Sequence, residues 1–213
     1  MKKAVLSLVL FFISLTIVHS YPVPDTGQTK CYDNTTEIVC PPAGEAFYGQ
    51  DASYSINTPA YTKLSAGCAV LPDNATTWPM VGDEVTGLVW EEKHNLDNVT
   101  NYADPNDADN TYTWFDGSNG TPGDGTDTMD FIHDLNASSY GGFSDWRLPT
   151  VKELQSIVDY SCYKPSINSK YFPDTVTNFD DWYLSSTIYT SKPDSVFIIN
   201  FDCYGKKSLH RCC

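Results

Sequence analysis

The feature that most constrains the fold is the run Gly141-Gly142-Phe143-Ser144-Asp145-Trp146-Arg147-Leu148-Pro149-Thr150-Val151-Lys152-Glu153-Leu154. Thr150 and Glu153 stand three residues apart ahead of an apolar series. This is the spacing of a capping box, in which each side chain satisfies a backbone N–H at a helix start. Val151, Leu154, Ile157 and Val158 recur at helical intervals, so the sequence predicts a helix from Thr150 to Asp159 with one apolar face. Pro149 keeps the chain extended before the cap, and Gly141-Gly142 permits a tight turn. Trp146 and Leu148 alternate with Asp145 and Arg147, as in a short half-buried strand that places Trp146 in the core beside the helix. Arg147 reads as a framework residue tied to a carboxylate or to backbone carbonyls, with substrate binding as the alternative. Asp145 and Glu153 resemble an acid–base pair, but capping already accounts for Glu153.

Met1-Lys2-Lys3 and the apolar run Ala4 to Val18 form a secretory leader, with Val18 and Ser20 suited to cleavage after Ser20. The run is short for a membrane span, which needs about 20 apolar residues. The processed chain is expected to be secreted or periplasmic, with no membrane span. All seven cysteines follow the leader. In an oxidising compartment they default to disulfides, and an odd number leaves at least one without an intrachain partner. Cys31 and Cys40 flank two short strand-like stretches around Asp33-Asn34, and a bridge closing that hairpin is expected. No pair has Cys-x-x-Cys spacing, which sets a zinc site aside.

Lys2 and Lys3 account for two of the 13 basic residues, so the processed chain sets 11 against 27 acidic residues, a net charge of −16. Such a surface repels nucleic acid, acidic polysaccharide and anionic lipid, and a nucleic-acid role is excluded. From Asp97 to Asp130 there are eight Asp and no Lys or Arg. Asp104, Asn106, Asp107 and Asp109 are close enough to converge in one loop, with Asp116 joining them. Calcium, which takes six to eight oxygens, is the cofactor this pattern suggests, although Ala108 breaks the EF-hand spacing. Asp127 is placed to cap a second helix on which Met129, Ile132 and Leu135 share a face. Val196 to Phe201 is the most apolar strand candidate and is expected to lie centrally. Two amphipathic helices among many short strands suit a loop-rich α+β domain, the helices flanking a mostly antiparallel sheet.

The run GGFSDWRLPTVKELQSIVDYS, together with TGLVW at Thr86 to Trp90, DGTDTMDFIHDLN at Asp124 to Asn136 and YLSST at Tyr183 to Thr187, resembles the Lcl C-terminal domain family. This is a bacterial extracytoplasmic domain of the C-type-lectin-like superfold. DTGQTKCYD at Asp25 to Asp33 and YGQDASY at Tyr48 to Tyr54 are similar to a lead-in often found before it. The resemblance divides the chain into a leader at 1–20, a lead-in at 21–80 with the disulfide hairpin, and the domain at 81–213. It also implies that Cys162 pairs with Cys212 and that Leu209 to Cys213 forms the last strand. The connection between Phe201 and Arg211 is shorter than usual in the family and the chain stops where others continue, so Cys203 and Cys213 stay unassigned.

No Gly-x-Ser-x-Gly elbow, His-Glu-x-x-His or P-loop occurs. The cysteines do not match those on which formylglycine-generating relatives depend, so a shared fold does not carry that activity over. The Glu-Pro-Asn, Gln-Pro-Asp and Trp-Asn-Asp signatures of sugar-binding C-type lectins are missing too. His133 reads as a structural or exposed imidazole. Trp90, Trp146 and Trp182 read as core, while Trp78 and Trp114 stay open. The framework residues are Trp146, Arg147, Pro149, Thr150 and Glu153. The resemblance implies a non-enzymatic binding or adhesion module, with a glycan or a cell-surface protein as partner. The alternative is an enzyme on the same superfold acting on an exported substrate.

Overall fold

The computed structural model describes residues 22–115, 120–121, 123–177 and 181–202. The leader, Asp116, Cys203, His210, Cys212, Cys213 and the strand expected at Leu209 to Cys213 lie outside the described residues.

The lead-in is built on a two-stranded hairpin, Cys31–Tyr32 (β1) and Glu37–Ile38 (β2), in which Cys31 faces Ile38. Asp33 makes its turn, Oδ1 accepting from the N–H groups of Thr35 at 2.7 Å and Thr36 at 2.6 Å. The Cys31–Cys40 disulfide closes the hairpin. Gln50 then imitates a neighbouring peptide group. Its Oε1 accepts from the Tyr32 N–H at 2.9 Å, and its Nε2 donates to the Tyr32 carbonyl at 2.6 Å.

A three-stranded antiparallel sheet follows, in the order β3 (Tyr61–Leu64), β4 (Met80–Asp83), β5 (Val89–Glu91). The central strand buries Met80 and Val81 completely. Asp83 turns the chain from β4 to β5, its Oδ1 accepting from the Val85 N–H at 2.9 Å and the Thr86 N–H at 3.2 Å. Lys63 is buried on β3 and donates to the Ala75 carbonyl at 2.8 Å. Its ammonium also lies 3.5 Å from the centre of the Trp78 ring, a cation–π contact suited to a buried charge.

Helix α1 spans Thr128–Ala137, and Asp127 caps it by accepting from the Met129 and Asp130 N–H groups. The expected apolar face is rotated. Leu135 is buried and Ile132 half-buried, whereas Met129 is 42% exposed and Phe131 and Thr128 take its place. The cap fixes this phase, because Thr128 also accepts a bond from the Phe115 N–H through its hydroxyl at 3.1 Å. Gly141, at φ +64°, is pressed against Met80, and a Cβ there would collide with the Met80 sulfur.

Helix α2 is Val151–Ser156, shorter than the sequence predicts. The Ser156 hydroxyl donates to the Glu153 carbonyl at 2.6 Å, and the Asp159 N–H is drawn out of the helix to the Ser166 carbonyl at 3.0 Å. The apolar periodicity survives beyond the helix, since Ile157 and Val158 are both buried. The last described strands, β6 (Tyr183–Ile188) and β7 (Val196–Ile199), pair antiparallel with Tyr183 opposite Ile199. β7 thus has β6 as its one strand partner among the described residues, rather than a central place, yet Ile199 and Phe201 after it are deep in the core. That core joins Val81, Leu154, Ile157, Ile167, Phe172 and Phe201. Among the described residues the architecture is α+β and loop-rich, with two α-helices beside small antiparallel sheets. Among the described residues no helix is long and apolar enough to cross a membrane.

Candidate functional site

The framework motif forms one hydrogen-bonded corner. The Thr150 hydroxyl accepts from the Glu153 N–H at 3.2 Å while Glu153 Oε2 accepts from the Thr150 N–H at 2.7 Å, completing the capping box. Arg147 grips the same carboxylate with both arms, Nη2 to Oε1 at 2.6 Å and Nη1 to Oε2 at 2.9 Å. It also donates to the Leu148 carbonyl at 3.2 Å. With the Arg147 guanidinium as the leading cause, the Glu153 carboxyl is held down at about 2. The Pro149 carbonyl accepts from the Ser186 N–H at 2.8 Å, and the Val151 N–H donates to the Thr187 hydroxyl at 3.0 Å, which ties the corner to β6. Trp146 is half-buried beside this corner and outside the main core. Its indole N–H donates to the Tyr140 carbonyl at 2.9 Å, and the rings of Tyr140 and Phe143 lie 5.7 and 5.8 Å away.

The corner forms part of the wall of a groove of about 1120 Å³, which also takes in β5, one face of α1 and the Asp181–Leu184 segment. Trp90, Tyr112, Phe131, Trp146 and Trp182 supply aromatic surface. Trp182 corrects the sequence reading, because it is 44% exposed rather than core. Its chain neighbour Tyr183 takes the inward position instead, with its ring 5.0 Å from Phe201. Trp90 and Trp78 both pack against the core, and the Trp78 indole donates to the Tyr171 carbonyl at 3.0 Å.

Two adjacent glutamates at the end of β5 have different fates. Glu91 Oε1 accepts from Asn106 Nδ2 at 2.6 Å and lies 3.2 Å from Lys93 Nζ. Lys93 also donates to the Pro105 carbonyl at 2.9 Å and sits 4.2 Å above the Phe131 ring centre. Glu92 is buried, and that desolvation, with Glu91 and Asp174 adding to it, raises its carboxyl to about 9. Glu92 is therefore a neutral acid in a wall of the groove at neutral pH. Sequence reading missed this residue, since nothing in Glu91-Glu92-Lys93 distinguishes the buried acid from the paired one.

The acidic loop is organised by its own backbone. Asp109 Oδ2 accepts from the N–H groups of Asp97 at 2.8 Å, Asn98 at 2.7 Å and Val99 at 3.3 Å. Asp107 accepts from Asn95 Nδ2 at 2.9 Å and from the Asp109 N–H at 3.0 Å. Asp104 accepts from the Asn106 N–H at 3.0 Å and meets His94 Nε2 at 2.9 Å. The four described members of the expected calcium set thus accept from or donate to groups of the loop and β5, two of these bonds running within the set itself. Among the described residues no group of three or more His, Cys, Asp or Glu is arranged to hold a metal ion. Cys162 is half-buried and bonded to none of the described cysteines, its thiol donating to the carbonyls of Asp159 at 3.6 Å and Ile167 at 3.7 Å. Burial raises its pKa. Its expected partner, Cys212, is outside the described residues.

No curated protein and no solved structure matches the chain. Residues 79–211 match the Lcl C-terminal domain. That stretch contains every groove-lining residue from Gly87 to Phe201. The chain therefore belongs to the Lcl C-terminal domain family.

Proposed function

We propose that the chain is an exported, non-enzymatic binding module that holds a glycan or a protein of the cell surface in the groove between β5, α1 and the Arg147–Glu153 corner. The observation that carries this reading is Trp182, a large aromatic ring left 44% exposed in the wall of a preformed concavity. Concave sites lined by aromatic rings with a few placed polar groups are the usual form of a ligand site. Export rests on the leader and on the Cys31–Cys40 bridge, which suits an oxidising compartment.

The test is retention of the purified processed protein on a glycan array and on intact cells. Trp182→Ala, at an exposed position, is expected to cut retention at least about fivefold with an unchanged melting temperature. Equal retention by Trp182→Ala would remove the groove from consideration.

One observation favours the enzymatic alternative. Glu92 is a carboxylic acid kept protonated in a groove wall, and perturbed acids in clefts are candidates for proton donors. If the groove is catalytic, turnover of a retained ligand is abolished in Glu92→Gln while its binding persists. A binding module shows no turnover in either form.

A further inference from the structure

A lysine, a glutamate and an asparagine meet where the chain leaves β5. Two backbone bonds set their register. The His94 N–H donates to the Asn106 carbonyl at 3.0 Å and the Ala108 N–H to the His94 carbonyl at 2.7 Å, which lays Lys93 alongside Pro105 and Asn106. Glu91 Oε1 then has two partners. Asn106 Nδ2 donates to it at 2.6 Å, and Lys93 Nζ stands 3.2 Å away. Lys93 Nζ also donates at 2.9 Å to the carbonyl of Pro105, the residue bonded to Asn106. A primary amine and a side-chain amide are thus held against one carboxylate oxygen.

The surroundings set this trio apart from the surface ion pairs. Lys30 beside Glu37 and Lys170 beside Asp73 are more than half exposed, and water solvates such pairs. Lys93 Nζ instead lies 4.2 Å from the Phe131 ring centre and 5.6 Å from that of Tyr112. Asn106 is 4% exposed, and the Glu91 side chain 12%.

Both contacts of Glu91 fall within the reach of a general acid–base, about 2.6–3.2 Å. Moving a proton from the Lys93 ammonium to Glu91 leaves two neutral groups, which cost less to shield from water than two ions. The freed Nζ is a nucleophile beside the Asn106 amide, and fixed proximity replaces a bimolecular encounter. As Nζ attacks Asn106 Cγ, the Nζ–Cγ bond forms and the Cγ–Nδ2 bond breaks. Glu91 hands protons from Nζ to Nδ2, which departs as ammonium. The balance closes without an oxidant or any other reactant: one ammonium and one primary amide give one secondary amide and one ammonium ion.

We propose that Lys93 and Asn106 join in a covalent side-chain amide bond, with Glu91 as the catalytic proton carrier. The bond closes the start of the acidic loop onto β5 and fixes the groove wall to which Glu91, Lys93, Tyr112 and Phe131 contribute.

The intact mass of the purified processed chain, with its disulfide reduced, tests this directly. It is expected to be one ammonia lighter than the sequence requires. Trypsin is expected to spare Lys93, since an acylated lysine is not a cleavage site, and fragmentation should place the link between Lys93 and Asn106. Lys93→Arg and Glu91→Gln are expected to keep their full mass, and Asn106→Asp to lose one water instead of ammonia. Circular dichroism checks that the variants fold. A parent chain of full mass, cut by trypsin after Lys93, would overturn the proposal. So would an ammonia loss that persists in Lys93→Arg, because Asn106 would then be cyclising onto its own backbone. A link that forms equally in Glu91→Gln would overturn the role given to Glu91.

Discussion

Two regions of this molecule are organised by carboxylates, and they use them in opposite ways. At the Arg147–Glu153 corner one carboxylate serves a cation and a helix cap together, and Arg147 is the first cause of its low pKa. In the loop from His94 to Asn110 the acids face almost no cations. They are held instead by backbone N–H groups, three of them converging on Asp109. The first arrangement fixes the direction in which a helix leaves. The second holds an irregular loop together by satisfying donors that no strand or helix partner reaches. A dense run of Asp is thus compatible with a self-contained loop, because N–H dipoles offset part of the repulsion that the charges create.

The largest expected effect separates the two regions by pH. Glu153 has a folded pKa of about 2 against an ordinary value of 4.5. A depressed carboxyl stabilises the fold fully above its unfolded pKa, and that stability is lost as pH falls from about 4.5 through 2. The full span is worth about 3 kcal/mol at most, less whatever solvent screens. Glu153→Gln should therefore be less stable than the parent at pH 7 and nearly equal to it at pH 2. Urea unfolding at both pH values checks this, and a constant difference between the proteins would mean that the ion pair is not the source.

Next in size is Asp109→Ala. It leaves the Asn98 N–H without its acceptor, while the Asp97 and Val99 N–H groups keep the Asn95 carbonyl and the Asp97 carboxylate, at a cost of roughly 1–3 kcal/mol. Hydrogen exchange should accelerate most at Asn98 and less at Asp97 and Val99, while the corner stays protected. Unchanged exchange there would break the contrast, showing that the loop is ordered by something other than its acids.

The two regions also differ in how legible they were. Thr150 and Glu153 bond across three residues of one chain segment, so their spacing alone reveals the interaction. Asp127 over α1 and the Cys31–Cys40 hairpin around Asp33 were readable for the same reason. Asp109 meets N–H groups 10 to 12 residues away, and no spacing rule covers that distance. Burial was less legible still. Met129 fits an apolar face by count, but the side-chain bond of Thr128 to Phe115 rotates the helix. Trp182 and Tyr183 are adjacent aromatics in a strand-like run, where one must point outward, and the sequence does not show which. Glu92 gains its protonated state first from burial, and the charge of Asp174, far along the chain, adds to it.

A smaller effect isolates the cap from the ion pair. Thr150→Ala removes the acceptor for the Glu153 N–H but leaves both Arg147 contacts in place. The expected loss is about 1 kcal/mol, with the acid limb of the stability profile retained. If the acid limb disappears as well, cap and ion pair are one cooperative unit rather than two contributions to the same corner.

The smallest expected effect concerns calcium. Asp104, Asp107 and Asp109 already accept bonds within the loop, so an ion must compete with those donors. Such a site would be weak, of the millimolar kind found in extracellular modules. At a calcium concentration near its Kd the ion adds only about 0.4 kcal/mol, or roughly 1 °C in melting temperature for a chain of this size. Melting of chelator-treated protein with and without millimolar calcium measures it. A rise of several degrees would mean that the carboxylates exchange their N–H partners for the ion. The loop would then be a metal site, and the contrast with the Arg147–Glu153 corner would become one between two cations rather than between a cation and a backbone.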